Sequence, residues 1–179
     1  MHLPDPVQSY LERRGLPYQL IVYPSGQTLI QIAENLAIPP QRMVRMALLK
    51  DESGLMMTIL PCRHILDFSR LRQLSQRALE PLYGVETAHF FQSHGCAVKS
   101  YPPLPEAFGV PALVDRSLEG NGDGELYFDG GSGHLLVRMR SADFRTLLAE
   151  ARWEDFTVSM DQLDALISQP VITNDELIS

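Results

Sequence analysis

The chain has 179 residues, of which 45% are hydrophobic and 21% charged, and its formal net charge is −7. That length and balance fit one compact globular domain with its own core, and they exclude disordered, collagen-like and disulfide-scaffold classes. No apolar run reaches the roughly 18 residues of a membrane helix, and the opening MHLPDPVQSYLERRG has no signal-peptide apolar region, so a cytoplasmic protein that does not span a membrane is expected.

Asp5-Pro6 reads as an N-cap followed by proline at the first helical position; Val7, Tyr10 and Leu11 mark an apolar face and Gly15 ends the helix. Residues 18–23 read as a short strand closed by Pro24-Ser25-Gly26. Leu29, Ile32, Ala33 and Leu36 are spaced for a helix that starts at about Thr28 and stops at Pro39-Pro40. Residues 43–60 form a hairpin about the turn Asp51-Glu52-Ser53-Gly54, and its arms are apolar on both faces, as central strands are. Helices are expected near 67–80 and 86–93, followed by the stiff proline loop Tyr101-Pro102-Pro103-Leu104-Pro105. Residues 112–114, 126–128 and 134–139 read as strands, with loops at 119–124 and 129–133. Ser141 then caps a helix bearing Phe144, Leu147 and Leu148. Beyond Trp153 the pattern weakens. Residues 161–167 suit one short amphipathic helix and 169–179 a linker-like tail, which divides the chain into a domain over 1–155 and a C-terminal helix and tail over 156–179. The order of elements gives an α+β class with a mixed, largely antiparallel sheet flanked by helices.

Charge is unevenly spread. Residues 41–100 carry eight Lys/Arg against five Asp/Glu, whereas 101–179 carry five against fourteen. A basic middle beside an acidic remainder lets one face meet phosphate while the rest repels nucleic acid, although uneven solvation of an ordinary surface gives the same counts. There is no Walker loop, strand-led GxGxxG, HExxH or GxSxG. The histidines and cysteines show no zinc spacing, so no metal and no cofactor are expected, and Cys62 and Cys96 read as inert buried thiols. Asp129-Gly130-Gly131-Ser132-Gly133 either cradles a phosphate through backbone N–H groups or is a hairpin turn that needs positive φ. Arg42, Arg45, Arg63 and Arg70 gather around the central hairpin. Arg45 opens a central strand, where its guanidinium either grips a phosphate or carboxylate, or pairs with an internal carboxylate such as Asp115.

In order along the chain, the segments 45–51, 60–71, 96–104, 109–118 and 128–144 resemble the YbaK/prolyl-tRNA-synthetase-associated domain, a family of trans-acting aminoacyl-tRNA deacylases. The resemblance covers residues 5–150. It implies a mixed, partly closed sheet flanked by helices, with a pocket for the aminoacylated 3′ end of tRNA. The implied reaction is hydrolysis of the ester of a wrong amino acid, without metal and without a protein nucleophile. In that scheme a ribose hydroxyl and a bound water do the chemistry, a glycine-containing loop steadies the carbonyl, and a strand lysine holds the terminal phosphate. Here Arg45 stands at the strand lysine, Lys99 at the loop glycine and Gly133 at a histidine, with His134 next to it. The resemblance thus implies Arg45, Lys99, Gly131 and Ser132 as catalytic-site residues. Arg42, Arg63, His64, Asp115, Gly133 and His134 are expected as substrate-binding residues. Two functions follow: a deacylase with an altered pocket, or a noncatalytic module that kept the scaffold to bind another ligand or a fused or partner signalling domain.

Overall fold

The computed structural model describes residues 2–168. Helix α1 (Asp5–Arg14) buries Val7, Tyr10 and Leu11, and Gly15 ends it at φ +65°, where glycine avoids the Cβ clash of other residues. Its N-cap is Pro4 rather than Asp5; Asp5 lies in the first turn, where its charge favours the positive end of the helix dipole. β1 (Gln19–Val22) leads to α2 (Leu29–Asn35), whose start is fixed by a capping box between Thr28 and Gln31. β2 (Met43–Asp51) and β3 (Gly54–Pro61) are the expected hairpin, with Asp51 paired to Gly54 across the turn. Then come β4 (His64–Leu66), α3 (Phe68–Ser75), β5 (Glu80–Pro81), α4 (Gly84–Ser93) and the single turn α5 (Pro105–Phe108). β6 (Ala112–Asp115) passes through a 3-10 turn to β7 (Glu125–Asp129) and β8 (Leu135–Arg140). Ser141 does not cap the next helix, α6 (Ser141–Leu147). It is the first helical residue, Arg140 is the N-cap, and the buried Ser141 hydroxyl has no partner among the described residues. β9 (Arg152–Glu154), β10 (Thr157–Ser159) and α7 (Met160–Ile167) complete the described chain. The tail expected over 169–179 lies outside the described residues. Among those described, no helix is long and apolar enough to cross a membrane.

Among the described residues, eight strands make one sheet in the order β1-β8-β7-β2-β3-β6-β9, with β5 also paired to β2. Pairs β1–β8, β7–β8, β2–β3 and β2–β5 are antiparallel, whereas β2–β7, β3–β6 and β6–β9 are parallel. β4 and β10 form a separate antiparallel pair. The mixed, mostly antiparallel α+β class is therefore as expected, but the partial closure is not: the sheet is open, with β1 and β9 at its two ends. Both ends resist further pairing. β1 is a short strand bracketed by Pro17 and Pro24, and β9 is three residues long with Arg152 and Glu154 charged.

Alternation along β2 decides what each face carries. Val44, Met46 and Leu48 enter the main core with residues of α1, α4 and α6. Met43 and Leu49 belong to two smaller clusters on the opposite face. One lies under α2 with Tyr23, Ile32 and Ala33, the other under α3 with Leu71, Leu79 and Phe156. Each fully buried side chain of this size contributes about 2 kcal/mol. Arg45 leaves β2 on the second face, in the interval between these clusters. Phe156 is 1% exposed and β10 pairs with β4, so the packed body continues past residue 155.

Candidate functional site

The end of β1, the first turn of α2, the loop at residues 98–100 and the β7–β8 turn enclose a cleft of about 530 Å³. Asp129 is its hub. The residue is 5% exposed, and its carboxylate accepts hydrogen bonds from the Tyr23 hydroxyl at 2.9 Å, the Gly131 N–H at 2.9 Å and the Ser100 hydroxyl. The Ser100 oxygen in turn accepts from the Gly133 N–H at 3.0 Å. Burial pushes the Asp129 carboxyl above the usual range, against the pull of its three donors. Burial and the neighbouring Asp129 charge likewise raise the Tyr23 phenol, which stays a donor. This network clamps three segments distant in sequence into one wall.

Lys99 also lines the cleft, with φ at +57°. The Ala97 N–H donates to the Gly131 carbonyl at 2.8 Å and the Ser100 N–H to the Ala97 carbonyl at 3.2 Å. Pinned on both sides, residue 99 is held in the left-handed region, at a cost of about 1 kcal/mol for any side chain with a Cβ. Gly131 has φ +99°, and a Cβ there would lie 2.9 Å from Pro102 Cγ and 3.1 Å from Pro4 Cγ. Conformation and space both demand glycine. Gly131→Ala is therefore expected to lose about 3 kcal/mol from strain plus overpacking. In a chain of this size that lowers the thermal midpoint by about 6–12 °C, to be read by circular dichroism; an unchanged midpoint would contradict the packing described.

The other expected site residues fall into separate places. Gly133 lines the cleft, whereas Ser132 lines a neighbouring cavity of about 630 Å³ with Pro4, His94 and Cys96. The Ser132 hydroxyl is buried without a hydrogen bond among the described residues. His134 Nδ1 lies 3.1 Å from the Ser132 carbonyl oxygen. Arg45 is not among the lining residues. Half-buried, it donates from Nη2 to the His64 carbonyl at 2.6 Å, and none of the ion pairs among the described residues includes it. Burial lowers its pKa from the ordinary value, as befits a guanidinium lacking a countercharge.

Pairing of Arg45 with Asp115 does not occur. Asp115, 2% exposed, accepts instead from the Ser117 N–H at 3.2 Å, the Ser117 hydroxyl and the Phe156 N–H at 3.1 Å. Arg63 pairs with Asp161 at 3.4 Å, and His64 Nδ1 lies 2.8 Å from Thr157 Oγ1. Arg42 donates to the Glu125 and Asp123 carbonyls at 3.1 and 3.4 Å. The cleft thus gathers Lys99 and Gly133, with Gly131 bonded behind it; Arg45, Arg63 and His64 form a second group along β4. Tyr23 and Ser100 also line the cleft and were not singled out in the sequence, and Asp129 was singled out only within the loop 129–133. The one local signal was a carboxylate ending an apolar strand directly before Gly-Gly. Both cysteines are buried, and burial raises both thiols, Cys96 to about 12 with Asp129 beside it.

Comparison with known proteins adds to this geometry. Residues 23–147 match the aminoacyl-tRNA editing domain. No curated protein matches the chain. Among solved structures, the hypothetical protein APE2540 has a TM-score of 0.73 at 19% identity, over 86% of this chain and 100% of that one. A candidate trans-editing enzyme for prolyl tRNA synthetase gives 0.69 at 21% identity, over 86% and 96%. A candidate signal transduction protein from Marinobacter aquaeolei VT8 gives 0.69 at 24% identity, over 98% of this chain and 39% of that one. At these identities the likeness is one of fold.

Proposed function

Because the chain belongs to the aminoacyl-tRNA editing domain family, we propose that it is a deacylase that hydrolyses the ester joining a wrong amino acid to the terminal ribose of tRNA. The observation that carries this reading is the clamped cleft itself. Its volume of about 530 Å³ suits a small-molecule-sized group such as an aminoacyl-adenosine end. The Tyr23–Asp129–Ser100 network fixes the backbone at Val98 and Lys99 along the cleft wall, where its N–H groups would meet the ester carbonyl. Donors fixed before the reaction stabilise an oxyanion without reorganisation. Lys99 in the cleft and Arg45, which leaves β2 outside the cleft lining, would supply positive charge for the phosphate preceding the terminal adenosine. In the scheme the family resemblance implies, water or a neighbouring ribose hydroxyl attacks; consistent with it, Asp129 already takes three donors and Cys96 is a raised, buried thiol.

The test is deacylation of tRNA(Pro) carrying amino acids other than proline. Wild type runs beside Arg45→Ala and the double variant Arg45→Lys, Lys99→Gly. Turnover by the wild type that falls at least tenfold in Arg45→Ala is the expected result. No turnover by the wild type, with turnover by the double variant, would instead mean a scaffold kept for binding. That second reading, a noncatalytic module of a longer signalling protein, is favoured by the match of 98% of this chain to 39% of a candidate signal transduction protein.

A further inference from the structure

Ester hydrolysis in the cleft does not require the run of contacts that leads from Arg45 to the last helix. Arg45 Nη2 donates to the carbonyl of His64, the first residue of β4. Among the described residues β4 pairs only with β10, a ladder in which His64 faces Ser159, Ile65 faces Val158 and Leu66 faces Thr157. The His64 ring reaches Thr157 Oγ1 at 2.8 Å. One residue earlier, the Arg63 carbonyl accepts from the Met160 N–H at 2.8 Å, and its guanidinium pairs with Asp161 at 3.4 Å. β10 runs directly into α7, whose capping box joins Ser159 to Gln162. A three-residue strand outside the main sheet is thus gripped on one side by Arg45 and on the other by the C-terminal segment.

We propose that β4 couples the anion site at Arg45 to β10 and α7, with His64 and Thr157 acting as positioning residues for the Arg45 guanidinium. The His64 carbonyl occupies one of the five N–H donors of Arg45 and orients the fork, leaving its other donors for a phosphate oxygen. Thr157 fixes the residue that supplies this carbonyl. An anion that holds Arg45 in this orientation therefore also favours the β4–β10 pair. By linkage, loosening that pair weakens the anion by the same factor. The inference rests on the reading that Arg45 meets a phosphate of the tRNA 3′ end.

The experiment uses the full chain and, as probe, the RNA trinucleotide CCA with a free 3′ end. Affinity is read by calorimetry, and amide hydrogen exchange by mass spectrometry over residues 62–67, 156–168 and, as control, β8. The expected result is binding that slows exchange at least threefold over 156–168 and leaves β8 unchanged. Thr157→Val, which removes one hydroxyl and no backbone bond, should weaken the probe about fivefold, and Thr157→Ser should restore it. A purely structural role for Thr157 would not make its exchange depend on ligand. Probe binding with unaltered exchange over 156–168, or with equal affinity in Thr157→Val, overturns the coupling. Failure of the probe to bind the folded wild type overturns the Arg45 assignment beneath it.

Discussion

Alanine at Arg45 is expected to weaken binding of a charged tRNA acceptor end by about 10- to 100-fold, the worth of a hydrogen bond to a charged group. It should also reduce the slope of log affinity against log salt by about 0.7, the share of one phosphate on a single strand. The same substitution should not unfold the protein. Arg45 is a half-buried cation with no carboxylate partner among the described residues, so removing it also relieves a desolvation cost. The three readouts separate the possibilities. Titration at 50 and 200 mM salt, run beside a thermal melt, should show weak and less salt-sensitive binding with the midpoint held. Equal affinity and slope in the two proteins would remove Arg45 from the site.

Asp129→Ala should have the largest effect on the fold of the cleft. It leaves the Tyr23 hydroxyl, the Ser100 hydroxyl and the Gly131 N–H without their acceptor in a buried place. At about 1–3 kcal/mol for each orphaned donor, partly offset by relief of a buried carboxylate, the loss is about 4 kcal/mol. That corresponds to a fall of about 8–16 °C in the thermal midpoint. Deacylation should be lost with it, because loop 98–100 no longer has a fixed position. Asp129→Asn keeps one acceptor oxygen and should lose about half as much. The variants also report on protonation. The folded state raises the Asp129 pKa, so this group's stability contribution is fully present below the unfolded carboxylate range and is lost as pH rises through the folded value. The stability of wild type relative to Asp129→Asn should therefore improve as the pH is lowered. A midpoint within 2 °C of wild type for Asp129→Ala would mean that the network does not hold the cleft.

What the sequence makes legible here follows from how local each cause is. The β2–β3 hairpin is readable because its apolar arms and its turn lie within nineteen residues of one another. The start of α2 is readable because Thr28 and Gln31 cap it within one turn. β4, β5, β9 and β10 are not readable: two- or three-residue strands carry no period, and β9 is built from Arg152, Trp153 and Glu154 only because β6 offers it an edge. The site divides in the same way. Lys99 and Gly133 came from their place in a resemblance and do line the cleft. Asp129 bonds to a serine 29 residues away and a tyrosine 106 residues away, separations that leave no spacing to find. Arg45 was legible as an odd charge in a strand, but its partner, a backbone carbonyl, has no identity in a sequence.

The strand order also bears on how this chain emerges from a ribosome. The β2–β3 hairpin closes on itself soon after it is made, but β1 must wait for β8 and β4 must wait for β10. At about 5–20 residues per second, the gap between β1 and β8 is on the order of ten seconds of synthesis. During that time Leu20, Val22 and Ile65, all exposed even in the finished fold, sit on strands with bare hydrogen-bonding edges. Such a nascent chain is open to pairing with its neighbours on a polysome, and its many distant pairings favour slow refolding.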